Sequence, residues 1–214
     1  MIDLKFNKFK FYTEGYNVGI LPQEIRKEAN DIIINTDWYG DKPRFANWAV
    51  TPEIEKNEEF YEELLRCKMS YGKSPTKVKN LANSIIDMKF FDTLKDSLVK
   101  IQHIKYRSIR NIKPLSMGLW DKQLDIKMHN DVSDTSDFFV LVYINDHKEW
   151  NENWGGQLNI GVEQEDGSVK LTHTHYPIDS TFVVINNSNP LIHHQVISAG
   201  DKVRYTFGFR YKIE

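Results

Sequence analysis

Hydrophobic positions divide the chain into two stretches of different period. From Leu21 to about Lys105 the apolar residues recur at helical spacing. In LPQEIRKEANDIIINT, Pro22 stands near a helix start, and Ile25, Ala29, Ile32 and Ile33 share one face. TPEIEKNEEFYEELLRCKM opens with Thr51 as an N-cap, Pro52 at the first helical position and an acidic first turn. KVKNLANSIIDMKFFDTLKDSLVKI keeps the helical character. The spacing predicts helices near 22–34, 52–68 and 77–100.

After about Ile101 the pattern becomes short β-rich runs separated by turn residues. They are HIKYRSIRN, LSMGLWD, LDIKMH, DFFVLVYIN, GQLNIGVEQ, VKLTHTHYP, STFVVIN, HHQVIS and VRYTFGFRYKI. Between them lie NDHKEWNENWGG, EDG and NNSNP, rich in the Gly, Asn, Asp and Pro that turns require. This number of strands at this spacing points to a sandwich or barrel. The expected fold is mainly β with a helical flank. A helical support region over 1–102 braces a β core over 103–214, the two packed as one unit.

Composition narrows the function without choosing it. The 214 residues suffice for one well-buried domain, and a net charge of −2 argues against nucleic-acid binding through bulk electrostatics. The single cysteine, Cys67, allows no intrachain disulfide and suits a reducing compartment. The N-terminal MIDLKFNKFKFYTEGY lacks the apolar core of a signal peptide, and no run reaches the ~18 apolar residues of a membrane helix. A cytoplasmic protein is the expectation.

Candidate chemistry begins at Met128-His129-Asn130-Asp131. Residues i and i+2 of an extended segment face the same way, so His129 and Asp131 can both face an interior. A second imidazole from a distant strand would complete a 2-His-1-carboxylate face with three positions open, as oxygen activation requires. Alone, His-x-Asp is a weak signal. It gains weight from His194-Gln195-Val196 and from Arg204, ten positions after His194. A guanidinium aimed into a barrel is costly unless it grips an anion.

Together, His-x-Asp, a distal His-x-Val and this following arginine resemble the Fe(II)/2-oxoglutarate dioxygenase superfamily, especially its prolyl 4-hydroxylase-like branch. The resemblance covers about residues 103–212. FFVLVYIND resembles the strand ending in tyrosine, an apolar residue and Asn. WGGQLNIG resembles the Gly-Gly turn opening the next strand, and STFVVINNSNPLIHHQV the strand and turn that deliver the distal histidine.

The resemblance implies a double-stranded β-helix of about eight strands. It also implies iron held by His129, Asp131 and His194, with 2-oxoglutarate and O2 as cosubstrates and a C–H bond hydroxylated. Arg204 and the Tyr143 hydroxyl would hold the distal carboxylate of 2-oxoglutarate. Leu141, Leu158 and Val196 would wall its methylenes, although plain core packing explains those three equally. The substrate is undetermined, with a peptidyl prolyl or other side chain, or a small molecule, in view. Trp150 and Trp154 of the Asn145–Gly156 loop and the Phe45–Trp48 segment are candidates for the mouth. Two departures stand out. Gly118-Leu119-Trp120 occupies the region where some members carry a tyrosine, and Arg210 falls where an aromatic is usual near the end of the final strand.

Two histidine ambiguities remain at this level. Only one of His193 and His194 can face inward, and the His-x-Val spacing favours His194, leaving His193 outside. His173-Thr174-His175 alternates like half of a cupin metal site but lacks the following glutamate, so a solvent-facing strand end is the expectation. A non-catalytic jelly-roll binding module and a cupin-type enzyme using His173 and His175 are the rival readings.

Overall fold

Alternation in the C-terminal half becomes strands whose two faces bury different things. The computed structural model describes residues 2–34, 68–69, 75–94, 99–110, 128–131, 136–145, 149–197 and 204–213; side chains of 68–69, 75–76, 78, 99–110 and 204 are not described. The strands are β1 (Tyr16–Ile20), β2 (Lys68–Met69), β3 (Val99–Arg110), β4 (Phe138–Ile144), β5 (Leu158–Glu163), β6 (Val169–His175), β7 (Thr181–Asn186), β8 (Ile192–Val196) and β9 (Arg204–Ile213). The helices are α1 (Lys8–Thr13), α2 (Gln23–Ile34) and α3 (Pro75–Ile86).

A six-stranded sheet runs β1-β7-β4-β9-β3-β2, and a three-stranded sheet runs β6-β5-β8, with every pairing antiparallel. Beyond β8, an isolated bridge couples His129 to His194. Two facing antiparallel sheets with a helical flank form the expected jelly-roll, a double-stranded β-helix.

Strand alternation separates two cores. Phe138, Val140, Val142 and Ile144 of β4 join Phe182 and Val184 of β7 and Phe207, Phe209 and Tyr211 of β9 against the helices, where Ala29, Ile32, Ile33, Leu81, Ala82 and Ile85 are buried. The Tyr211 hydroxyl donates to the Ala82 carbonyl at 2.8 Å, tying α3 to the sheet. The opposite faces enclose a smaller cluster between the sheets: Tyr16, Val18, Tyr143, Leu158, Ile160, Val183, Ile185 and Ile192.

α2 lies where its periodicity places it. The third helix does not reach residue 100: α3 ends at Ile86, a 3-10 turn covers Lys89–Leu94, and β3 begins at Val99. Phe90 and Phe91, both buried, lie in that 3-10 turn. The helix predicted near 52–68 falls outside the described residues except for Lys68. LSMGLWD, Gly118–Trp120, Phe45–Trp48 and all but the last two residues of LDIKMH lie outside them as well.

The N-terminal region also supplies a strand. β1 reads YNVGI, and its Asn and Gly are poor strand formers, which hides it from sequence pattern. Both have a reason in the packing. Asn17 is fully buried and its amide donates to the Asn7 carbonyl at 3.2 Å, while a Cβ at Gly19 would collide with the Phe182 ring. Among the described residues no helix is long and apolar enough to cross a membrane.

Candidate metal centre

Three donors converge at one end of the inter-sheet space. The ligand atoms of His129, Asp131 and His194 all lie within 4.8 Å of one another, and among the described residues they are the group that could hold a metal ion. His129 Nε2 is 3.7 Å from Asp131 Oδ1, and His194 Nε2 is 3.7 Å from Asp131 Oδ2. The imidazole centroids are 4.4 Å apart.

Backbone geometry sets this spacing. His129 and His194 exchange both main-chain hydrogen bonds, His129 N–H to His194 O at 3.1 Å and His194 N–H to His129 O at 2.8 Å. Asn130 then donates its amide to the Pro190 carbonyl at 2.9 Å, pinning the segment that carries Asp131. His194 is buried, and burial first, then the neighbouring His129, pushes its pKa down despite the opposing pull of Asp131. A neutral imidazole is the form that ligates a metal.

Two imidazoles and one carboxylate on a single face suit a divalent first-row ion with open positions, such as Fe(II). The donor set therefore fits the ion that the sequence motif implies.

Of the two adjacent histidines, His194 faces the cluster. His193 lies on the other face of β8, with Nε2 2.8 Å from Glu163 Oε2. This agrees with the sequence expectation.

Tyr143 is fully buried in the inter-sheet cluster together with Leu158, and Leu141 and Val196 pack against it. Four of the five residues expected around the cosubstrate thus share one compartment. Arg204 opens β9 and pairs with Ile109, but its side chain is not described.

The His173-His175 expectation is corrected. These side chains are not at a solvent-facing strand end. His173 stacks on Tyr16 at 4.1 Å, and His175 is buried with Nε2 2.9 Å from Thr181 Oγ1 and its ring 5.4 Å from Tyr143. The N-terminal strand that sequence pattern missed supplies the ring that covers His173. Burial foremost, helped by His173, holds the His175 pKa down to about 3; burial, then Lys10, holds His173 at about 4.

Asn145, the asparagine that closes the FFVLVYIND motif, acts as a staple. Its amide donates to the Pro177 carbonyl at 2.7 Å and its oxygen accepts from Tyr205 N at 3.2 Å, fixing the end of β4 to the start of β9. Its backbone N–H donates to Asp179 Oδ1 at 3.0 Å. The Trp loop folds back on itself: Trp150 is buried, donates from Nε1 to the Gly155 carbonyl at 2.8 Å and meets Trp154 edge-on. Gly155 and Gly156 both have positive φ, 70° and 79°, a turn that other residues adopt with strain.

Sequence reasoning gave no role to Arg210, which is buried and bonds Asp131 Oδ2 through both terminal nitrogens, at 3.2 and 2.8 Å. The available signal was a charged residue, in place of an aromatic, in a strand otherwise rich in aromatics.

No protein-family model and no curated protein sequence matches the chain. Solved structures do match its fold. A prolyl hydroxylase from Trichoplax adhaerens, in complex with a hypoxia inducible factor oxygen degradation domain peptide fragment, matches with TM-score 0.57 and 13% identity over 95% of this chain and 86% of that one. A Pseudomonas putida prolyl-4-hydroxylase gives 0.53 and 13%, over 95% and 96%. HygX from Streptomyces hygroscopicus, with nickel and 2-oxoglutarate bound, gives 0.52 and 13%, over 97% and 87%. The chain therefore has the fold of the prolyl hydroxylases and other 2-oxoglutarate–Fe(II) oxygenases.

Proposed function

We propose that the chain is an Fe(II)- and 2-oxoglutarate-dependent oxygenase that hydroxylates a C–H bond of a peptide side chain, a prolyl ring among the candidates, or of a small molecule. The observation that carries this reading is the convergence of His129, Asp131 and His194 at one end of the inter-sheet space of a double-stranded β-helix. A prolyl hydroxylase of the same fold is known with a peptide bound, and HygX with nickel and 2-oxoglutarate, which supports the choice of cosubstrate and substrate class.

When bound, the iron with 2-oxoglutarate and dioxygen supplies the oxidation: one oxygen atom enters the substrate C–H bond and the other enters succinate, with release of CO2. The protein's part is positional and electrostatic. His129, Asp131 and His194 would hold the ion. In this reading Arg204 and the Tyr143 hydroxyl hold the distal carboxylate of 2-oxoglutarate, a pairing that fixes the orientation of the cosubstrate. Leu141, Leu158 and Val196 would line its methylenes, and the apolar cluster around them would exclude water.

Anaerobic titration of the protein with Fe(II) and 2-oxoglutarate tests the proposal through the visible metal-to-ligand charge-transfer band. A saturable band in the wild type that weakens in Arg204→Ala establishes iron and cosubstrate together. No band from folded protein with free Fe(II) present sinks the oxygenase reading.

A further inference from the structure

Arg210 carries the inference that goes furthest beyond the motif. It sits on β9, its backbone paired with Phe139 on one side and His103 on the other. Its guanidinium carbon lies 4.9 Å from the centre of the Phe139 ring, and the side chain is 9% exposed. A cation this deep is tolerated only with a close anion, and that anion is Asp131.

The form of the contact matters more than its existence. An arginine commonly meets a carboxylate fork to fork, one nitrogen on each oxygen. Here both terminal nitrogens reach the same oxygen, Oδ2, at 3.2 and 2.8 Å. Each oxygen lies 3.7 Å from one imidazole, Oδ1 from His129 Nε2 and Oδ2 from His194 Nε2, and Arg210 engages Oδ2. The guanidinium also lies over the Phe139 ring, a favourable cation–π contact.

We propose that Arg210 is a positioning residue of the metal centre, which holds Asp131 as a one-oxygen donor by engaging Oδ2 and presenting Oδ1. The inference rests on the metal-centre reading above. Its consequence is a count of positions. Three single-atom protein donors leave three sites on a six-coordinate ion, whereas an aspartate binding through both oxygens leaves two. A chelating cosubstrate and dioxygen together need three. Arg210 thereby preserves the vacancy that the chemistry requires, without itself touching substrate or cosubstrate.

Charge alone predicts the opposite of orientation, which makes the proposal testable. Removing a cation from beside a divalent ion tightens metal binding electrostatically. Removing a clamp on a ligand weakens it, by roughly 10–100-fold where the outer partners of metal ligands have been altered. The experiment is spectrophotometric titration with Co(II) of wild type, Arg210→Met and Arg210→Lys, followed by 2-oxoglutarate titration of each cobalt-loaded protein, with circular dichroism as the check on folding.

The expected result is a Co(II) Kd raised roughly 10–100-fold in Arg210→Met. An altered cobalt d–d spectrum and weaker 2-oxoglutarate binding should accompany it. Arg210→Lys keeps the charge without the fork and should recover only part of the loss. A folded Arg210→Met protein with an unchanged or lower Kd and an unchanged spectrum overturns the proposal. If Arg210→Met does not fold, wild-type behaviour of Arg210→Lys overturns it instead. Failure of the wild type itself to take up Co(II) removes the metal centre, and this inference with it.

Discussion

The two faces of the six-stranded sheet come from the same strands and have little else in common. The face toward the helices is a wall of Phe, Val, Ile and Tyr, in which Phe138, Phe182, Phe207 and Phe209 are fully buried. The face toward the small sheet carries Tyr143, Thr181, Thr206 and Arg210 among its apolar residues, with Asp131, His175 and His194 opposite. Period-two alternation lets each strand do both jobs at once. Stability is concentrated on one side, and the other side tolerates the buried polar groups that chemistry needs. The difference teaches that the site is a passenger on a fold secured elsewhere.

The comparison can be broken first on its apolar side. Phe182→Ala should destabilise the protein by about 3–5 kcal/mol in urea unfolding, because it opens a cavity beneath helices and β1 alike. Metal affinity of the protein that remains folded should change less than threefold. A tenfold loss would show that the two faces are not independent.

A smaller effect comes from the polar side. The pKa of His175 is lowered by burial to about 3, whereas in the unfolded chain it titrates near 6.5. Between those values the unfolded chain binds more protons, so stability present above about pH 6.5 is lost as the pH falls toward 3. The loss is about 1.4 kcal/mol per pH unit. Unfolding free energies at pH 7 and pH 4.5 measure it, and His175→Gln should reduce the difference, with His173 and His194 supplying the rest; equal slopes in the two proteins would contradict the assignment.

The smallest effect sharpens the choice between neighbours. His193→Ala removes the contact with the partly exposed Glu163 and should cost about 1 kcal/mol. Cobalt binding should stay at the wild-type level, whereas His194→Ala should abolish it. Loss of metal from the His193 variant would reverse the reading of β8.

Much of this arrangement was legible in the sequence. Alternation located β4 to β9 and His-x-Asp paired His129 with Asp131, because both depend on short-range spacing; the distal His194 came from the His-x-Val resemblance, and the three cluster in the structure. What escaped depends on contacts far along the chain. β1 looks unlike a strand since Asn17 is satisfied by Asn7 and Gly19 is dictated by the Phe182 ring. His173 looked solvent-facing because the tyrosine that stacks on it lies in that unrecognised strand. Arg210 had no local partner to announce it: its aspartate is 79 residues away. The Phe90-Phe91 turn was hidden inside a run that satisfies helical periodicity up to Ile86 and then changes purpose.

The reciprocal backbone bridge between His129 and His194 has a consequence for how such a protein can change over time. The bite of the two imidazoles is fixed by a pair of main-chain hydrogen bonds, not by the length of tether between them. The exposed turn at 164–168 linking β5 to β6, which lies between the two in sequence, can lengthen or shorten while the bite stays the same. The reach toward a substrate can drift with its loops, and the seat of the ion need not follow.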